Sequence, residues 1–507
     1  MAEPVPSGAD GEPGGDRDGA SDAGAESSAA GSDGSATVGS DASLRPGGDV
    51  PGPDGLPLAG NTIEFLRDPL AFYERCGAYD SDIVRYAIGG DTGFMLTDPA
   101  DIERVLVTDD AHFGRASLTQ DTLGQIADGG LFLLEGDEWQ RHRTALQPSF
   151  YRERIETYAD MMARFADERA DEWAGGLATG HSTVAVSAEM RSLTLEILAK
   201  TLLDVDIRER ESAIRDAAGV ISERFDAGSL SAYLPLWVPT PANRRCKRAV
   251  AAFDEAIAEM VAQRRASDGE FDDLLSILLS LDLGDGTDGD TTSLSETEIR
   301  DHLFTFLFAG HETTALTLSY ATFLLATNPE KQARLHDELD AALDGRPGAT
   351  DLFELDYLDN VVDEALRLYP PAYTVFREPT RDVAFQGYRV PEGSLVSLPQ
   401  WVVHRDERWF ADPDSFRPER WADEGADGDE SGAADTDAGR PEYAYFPFGG
   451  GSRHCIGMRF ALMETKLVLA TLARRFRFET VTEPPLDLSM QITLQPTDPI
   501  EVGLAAR

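Results

Sequence analysis

From Ser295 the chain reads SETEIRDHLFTFLFAGHETTALTLSYATFLLATNP, with no helix breaker before Asn328 and Pro329, and this segment limits what the whole can fold into. Ser295 and Glu298 have the spacing of a capping box, and a continuous helix of roughly 32 residues spans about 48 Å, the width of a large domain. Leu303, Phe304, Phe306, Leu307 and Phe308 leave it no polar side, so it has to be buried all round. The next residues are AGHETT, 309–314. A glycine inside a helix costs about 1 kcal/mol relative to alanine, and an acid beside two hydroxyls is out of place in a core. Two readings stay open. Glu312 faces a wet groove while the threonines bond back to carbonyls one turn earlier, or Gly310 admits a planar ligand or small molecule while Glu312 and Thr313 carry protons.

The 507 residues are 42% hydrophobic, enough for a large core and an enclosed site. Helical periodicity is expected over 153–175, 185–204, 242–265, 296–327, 330–343, 353–369 and 456–476. IVRYAI and FMLT read as a hairpin around Gly89, Gly90 and Gly93, with further strands over 383–398 and near the C-terminus. The fold class is mainly α with small β-sheets. No linker divides the chain after residue 50, so one large domain over 49–507 is expected. Residues 1–48 carry too few apolar side chains to offset the entropy of ordering and read as a disordered acidic tail. The Gly-rich acidic stretches 284–293 and 423–439 read as solvated surface insertions.

Asp and Glu number 91 against 45 Lys and Arg, a formal net charge of -46. That makes nucleic acid an unsuitable partner, and mutual repulsion of so many carboxylates suggests a halophilic cytoplasm where salt screens them. Cys76, Cys246 and Cys455 are odd in number and far apart, and no leader opens the chain, so a reducing, cytoplasmic setting is expected. The most apolar window, LFTFLFA, is too short to span a bilayer, so no transmembrane segment is expected.

Cys455 lies in FPFGGGSRHCIG, 446–457. Backbone N–H groups freed by glycine, Arg453 two residues before and a helix expected to start at about Ile456 all favour a thiolate. Zinc would need further Cys or His at short spacing, a nucleophile would need a His base in a recognisable motif, and a phosphate loop would need Gly-Lys-Ser/Thr. A single thiolate on iron fits best.

Phe448, Gly451, Arg453, Cys455 and Gly457 resemble the haem-binding loop of the cytochrome P450 family. AGHETT resembles its oxygen-binding helix, EALR with Glu364 and Arg367 its Glu-x-x-Arg, and FRPERW the segment whose arginine, Arg420, completes that triad. The resemblance covers roughly residues 50–507 and implies a single helical domain around a buried haem b, with Cys455 as the axial thiolate. It implies a monooxygenase using O2 and two electrons, Thr313 as hydrogen-bond partner of the dioxygen, Glu312 as proton relay, and Ala309 and Gly310 as the residues leaving room. Cations for the haem propionates are then Arg143, spaced from Trp139 as in the family, with Arg377 and Arg453. His142 and His454 are structural on this reading.

No flavin or nicotinamide motif is apparent, so electrons come from another protein. Arg141, Arg152, Arg154, Arg459 and Lys466 form a candidate cationic island where an acidic ferredoxin, reduced by its reductase, could dock. Segments 113–133, 222–240 and 372–376 are apolar and point to a small apolar substrate such as a fatty acid or isoprenoid. The alternative is a catalytically silent haem-thiolate sensor or electron-transfer protein, which needs the thiolate but not Glu312 and Thr313.

Overall fold

The computed structural model describes residues 44–207, 211–269, 271, 273–281, 293–422 and 439–507. The expected tail up to residue 43, and the acidic stretches over 284–292 and 423–438, lie outside the described residues. The main helices are α1 (Ser117–Ala127), α2 (Gly136–Leu146), α3 (Ala159–Ala178), α4 (Val186–Leu203), α5 (Glu211–Arg224), α6 (Pro241–Arg265), α7 (Glu296–Thr327), α8 (Pro329–Ala342), α9 (Asp356–Leu368) and α10 (Met458–Arg475).

The long central helix is present with its capping box. Ser295 Oγ accepts from the Glu298 N–H at 3.2 Å, and Glu298 Oε2 accepts from the Ser295 N–H at 2.7 Å. α4 lies along it so closely that a Cβ on Gly310 would sit 2.2 Å from Leu198 Cδ1. Gly310, half-buried beside exposed Ala309, thus has a packing reason in addition to the expected one, that it opens the backbone to a ligand. The expected helix 153–175 is broken into Arg152–Glu156 and α3, because Thr157 turns its hydroxyl onto the Arg154 carbonyl at 2.6 Å. α1, α2 and α5 were not expected. α2 shows why: only His142 and Leu146 are buried along it, too few to leave a periodic signal.

Strands β1 (Ile83–Ile88), β2 (Asp91–Leu96), β3 (Phe113–Arg115), β4 (Val375–Pro379) and β5 (Leu395–Leu398) form a sheet in the order β1-β2-β5-β4-β3. The expected hairpin closes at Gly89 and Gly90, whose φ values of 66° and 100° suit the mirror-image turn such hairpins use. The β2–β5 pair is parallel, and β3–β4 antiparallel with Arg115 directly opposite Arg377. A hairpin, β6 (Leu488–Met490) and β7 (Leu494–Pro496), is tied inward by Tyr320, whose hydroxyl donates to the Leu494 carbonyl at 2.7 Å, and by Ala227, whose N–H donates to the Met490 carbonyl at 2.7 Å.

Candidate active site

Glu364 and Arg367 are one turn apart on α9 and fully buried, with side chains 0% exposed. Arg367 Nε and Nη2 donate to the two Glu364 oxygens at 2.9 and 2.8 Å; Arg420 Nε adds 3.1 Å and Trp421 Nε1 2.9 Å. A buried ion pair holds only when its remaining donors are satisfied. Arg367 Nη1 accordingly donates to the carbonyls of His404 and Pro413, both at 2.7 Å. His404 carries the connection onward: its Nε2 accepts from the Phe446 N–H at 3.0 Å, at the first residue of the cysteine loop. Burial holds the His404 imidazole well below its usual range, so it stays a neutral acceptor.

The loop itself is shaped by glycine. Gly451 has φ 64°, and a Cβ there would lie 1.8 Å from the Leu106 carbonyl oxygen. The Cys455 N–H donates to the Phe448 carbonyl at 3.0 Å, and a Cβ on Gly457 would be 4.0 Å from the Cys455 sulfur. By accessible area Cys455 is exposed, yet the protein around it is dense enough for burial to be the largest influence on its ionisation. A side chain on the wall of an internal cleft satisfies both. Burial pushes the thiol up, opposed by the N–H of Gly457, by Arg143 and by the N–H of Met458. Burial thus opposes the thiolate expected from sequence, while the loop's N–H groups and Arg143 favour it. A metal cation bound there would tip the balance, since it deprotonates a coordinating thiol.

Arg453 stacks on Trp139, 4.5 Å from the ring centroid, and donates from Nη1 to the Leu134 carbonyl at 3.0 Å. It joins Arg115 and Arg377, which face each other across β3 and β4. Like charges directly opposed on neighbouring strands destabilise a sheet. Burial, then Arg377 and Arg453, pushes the Arg115 guanidinium down to about 9. Burial, then Arg453, pushes Arg377 down to about 10. Arg115 Nε is buried and unpartnered. Three buried or half-buried guanidiniums, with Glu135 and Asp110 the opposing charges felt among the described residues, call for a polyanion, and the two propionates of haem fit that demand. Arg143 stands apart from this group, with Nη2 3.4 Å from His454 Nε2 and its charge felt by Cys455. Arg115 was not foreseen: its importance comes from cross-strand register, which no local motif reports.

On α7 every residue from Ile299 to Ala326 is buried except Arg300, Thr305, Ala309, Gly310 and Thr313. Thr305, Ala309 and Thr313 recur every four residues and so form one stripe, with Ala309 the most accessible. Thr313 Oγ1 donates to the Ala309 carbonyl at 2.8 Å. Glu312 turns away: it is 2% exposed, and its Oε1 accepts from Gln495 Nε2 at 3.0 Å. The expected acid and alcohol pair is thus not in mutual contact, as neighbouring residues on a helix point about 100° apart. Gln495 is held in turn by Arg191, whose Nη2 donates to its Oε1 at 2.6 Å. This fixes the amide orientation, since a flip would set an oxygen against Glu312. Burial lifts Glu312 to about 7, partly offset by Arg191 and by the Gln495 hydrogen bond. Sequence reasoning missed Gln495 and Arg191, which reach the site from β7 and α4.

His142, 1% exposed, is paired with His302. The Leu131 N–H donates to His302 Nδ1 at 3.3 Å, so the His302 proton sits on Nε2 and goes to His142 Nδ1, 2.7 Å away. His142 keeps its own proton on Nε2 as a donor for nearby Glu138 and Glu298, which disfavours a metal at that cluster. Of the proposed cationic island, Arg152 pairs with Glu156 at 2.6 Å, Lys466 with Asp359 at 2.6 Å, and Arg154 donates to Tyr158; Arg141 and Arg459 are exposed.

A cysteine on a glycine loop, a buried Glu-Arg-Arg triad, a cluster of guanidiniums and a long buried helix with one accessible stripe are the features of a haem-thiolate protein. The family model for cytochrome P450 matches residues 50–504, and the chain belongs to the cytochrome P450 family. It is 35% identical over 437 residues to cyclooctatin synthase of Streptomyces melanosporofaciens, covering 85% of this chain and 90% of that one. It is 30% identical over 444 residues to pentalenene oxygenase of Streptomyces avermitilis, with 86% and 92% covered. Retinoic acid bound cyanobacterial CYP120A1 aligns with a TM-score of 0.77 at 25% identity, over 92% of this chain and all of that one. The protein is thus a P450 monooxygenase; membership implies haem with a cysteine thiolate ligand, O2 and a redox partner. Among the described residues no helix is long and apolar enough to cross a membrane.

Proposed function

We propose that this P450 inserts one oxygen atom of O2 into an apolar isoprenoid, using electrons from a ferredoxin and its reductase in a halophilic cytoplasm, with residues 49–507 forming the enzyme. The observation that carries the reading is the accessible stripe of Ala309 and Thr313 on a helix whose residues just before it, Phe304, Phe306, Leu307 and Phe308, are apolar and buried. Such walls offer an apolar molecule burial and little that would hold a charged one. The compounds named for the relatives above, pentalenene and retinoic acid, are isoprenoids.

When bound to Cys455, haem b supplies the activation of O2. Arg115, Arg377 and Arg453 hold the propionates, with Trp139 stacked under Arg453, and Arg143 supports the sulfur. Phe448, Gly451 and Gly457 shape the loop around it. Thr313 has committed its proton to the Ala309 carbonyl and is left as an acceptor for a proton-bearing group on the accessible stripe. Glu312, with its carboxyl lifted to about 7, can give and retake a proton near neutrality, while Gln495 and Arg191 hold it in place. Arg141 and Arg459 remain the exposed cations for a ferredoxin. In the test, holoenzyme with ferredoxin, reductase and pentalenene or retinoic acid is run under isotopically labelled dioxygen. One labelled atom in the product supports the reading; label arriving only from water, or no product with any apolar substrate tried, overturns it.

A further inference from the structure

Thr305 stands at one end of the accessible stripe on α7, and the segment joining α1 to α2 crosses the helix there. Two backbone bonds hold that segment down. The Gly129 N–H donates to Asp301 Oδ2 at 2.8 Å, and the Leu131 N–H to His302 Nδ1 at 3.3 Å. Between them Gly130 is buried so close to α7 that a Cβ on it would lie 2.2 Å from Thr305 Oγ1 and 2.8 Å from the Asp301 carbonyl oxygen. Glycine at 130 is what keeps the threonine oxygen from being covered.

The hydrogen-bonding capacity of that oxygen is half filled. Thr305 Oγ1 donates its proton to the Asp301 carbonyl at 2.8 Å, and a hydroxyl has two lone pairs that accept. The crossing segment supplies no N–H for them. Those of Gly129 and Leu131 go to Asp301 and His302, and that of Gly130 returns to the Ala127 carbonyl at 3.4 Å. Gly130 can offer only a weak C–H contact. Thr313, at the other end of the stripe, is in the same state, its proton given to the Ala309 carbonyl. From 305 to 313 the helix rises about 12 Å, so the two acceptors bracket the apolar methyl of Ala309.

We propose that Thr305 selects an isoprenoid that already carries a hydroxyl group, accepting its O–H while a carbon about 6–12 Å away lies beside Ala309 and Thr313. The assignment rests on the isoprenoid reading of the cleft and narrows it to an alcohol. A hydrocarbon leaves the acceptor unfilled. A carboxylate has no proton to give and would face both the Thr305 lone pairs and the Asp301 carboxylate. Threonines bonded back to the preceding turn also serve as plain helix residues, as buried Thr314 and Thr317 do on α7. Thr305 differs from them in lying on the accessible stripe, under a glycine that leaves its oxygen clear. A site that hydrogen-bonds a substrate hydroxyl rejects the analogue lacking it far better than an apolar wall rejects an added one.

The test titrates the haem-loaded full chain with farnesol, farnesyl methyl ether and farnesene, reading the change in haem absorption on binding. The three share a carbon chain, and only farnesol can donate a hydrogen bond. Farnesol should bind about tenfold more tightly than the other two. In Thr305→Val that preference should vanish while the ether and the hydrocarbon keep their affinities, and Thr305→Ser, which retains a hydroxyl, should restore it. The preference is a ratio within one variant, so a loss of stability does not imitate it; haem content and urea midpoint are measured alongside. Equal affinities for the three in the native chain, or a farnesol preference that survives Thr305→Val, overturns the role of Thr305 and leaves the isoprenoid reading standing. No absorption change with any of the three contradicts the isoprenoid reading itself, and the role of Thr305 falls with it.

Discussion

The His404 imidazole accepts the Phe446 backbone N–H at 3.0 Å, while the His404 carbonyl accepts Arg367 at 2.7 Å. One residue thus joins the buried triad on α9 to the start of the loop that presents Cys455. The triad's energy is spent on where the cysteine sits.

Replacing Glu364 leaves Arg367 and Arg420 buried without their carboxylate. Glu364→Gln should cost about 3–5 kcal/mol, the range for breaking a buried ion pair, and should reduce haem incorporation along with the urea midpoint. A variant that keeps full haem content and midpoint contradicts the linkage.

Arg115 and Arg377 repel each other unless an anion lies between them, so Arg115→Leu should act in opposite directions on two forms. The haem-free protein should melt no lower than the native chain. Haem retention should fall about tenfold or more, from loss of a charge-assisted contact of about 1.5–3 kcal/mol. Apo melting and the rate of haem transfer to an acceptor protein are the readouts.

Glu312 has a folded value of about 7 against an ordinary 4.5, so its favourable contribution is fully present below about 4.5 and is lost as pH rises through 7. Glu312→Gln should therefore gain stability relative to the native chain above neutrality, on the order of 3 kcal/mol, and none at pH 4. Gln495→Leu removes a hydrogen bond that lowers the Glu312 value and should displace the loss to higher pH. Urea unfolding across that range checks both.

Gly310→Ala places a methyl 2.2 Å from Leu198 Cδ1. Overpacking of this kind costs about 1–3 kcal/mol. Leu198→Ala, itself costing about 2–5 kcal/mol as loss of a buried side chain, should couple favourably with it in a double-mutant cycle. Absence of coupling between the two substitutions would contradict the packing account.

The central helix, the loop glycines and the triad were legible because each is a local pattern: a capping box with an apolar run, a glycine-framed cysteine, an acid and arginine one turn apart. What escaped depends on distant chain. Arg115 matters through its register opposite Arg377, and Gln495 through the β6–β7 hairpin reaching α7. The closeness of Gly310 to Leu198 of α4 likewise depends on distant chain and was not visible locally. That Glu312 and Thr313 point to different surroundings follows from their being adjacent on a helix, but the partners each finds there come from elsewhere in the chain.

The most direct test is the optical difference spectrum of the dithionite-reduced holoprotein with and without carbon monoxide, in concentrated KCl, for the native chain and Cys455→His. Thiolate ligation by Cys455 predicts a strongly red-shifted Soret band in the native protein that disappears in the variant. A native Soret band at the shorter wavelength of a nitrogen or neutral ligand, or one unmoved by the substitution, contradicts Cys455 as the iron's ligand.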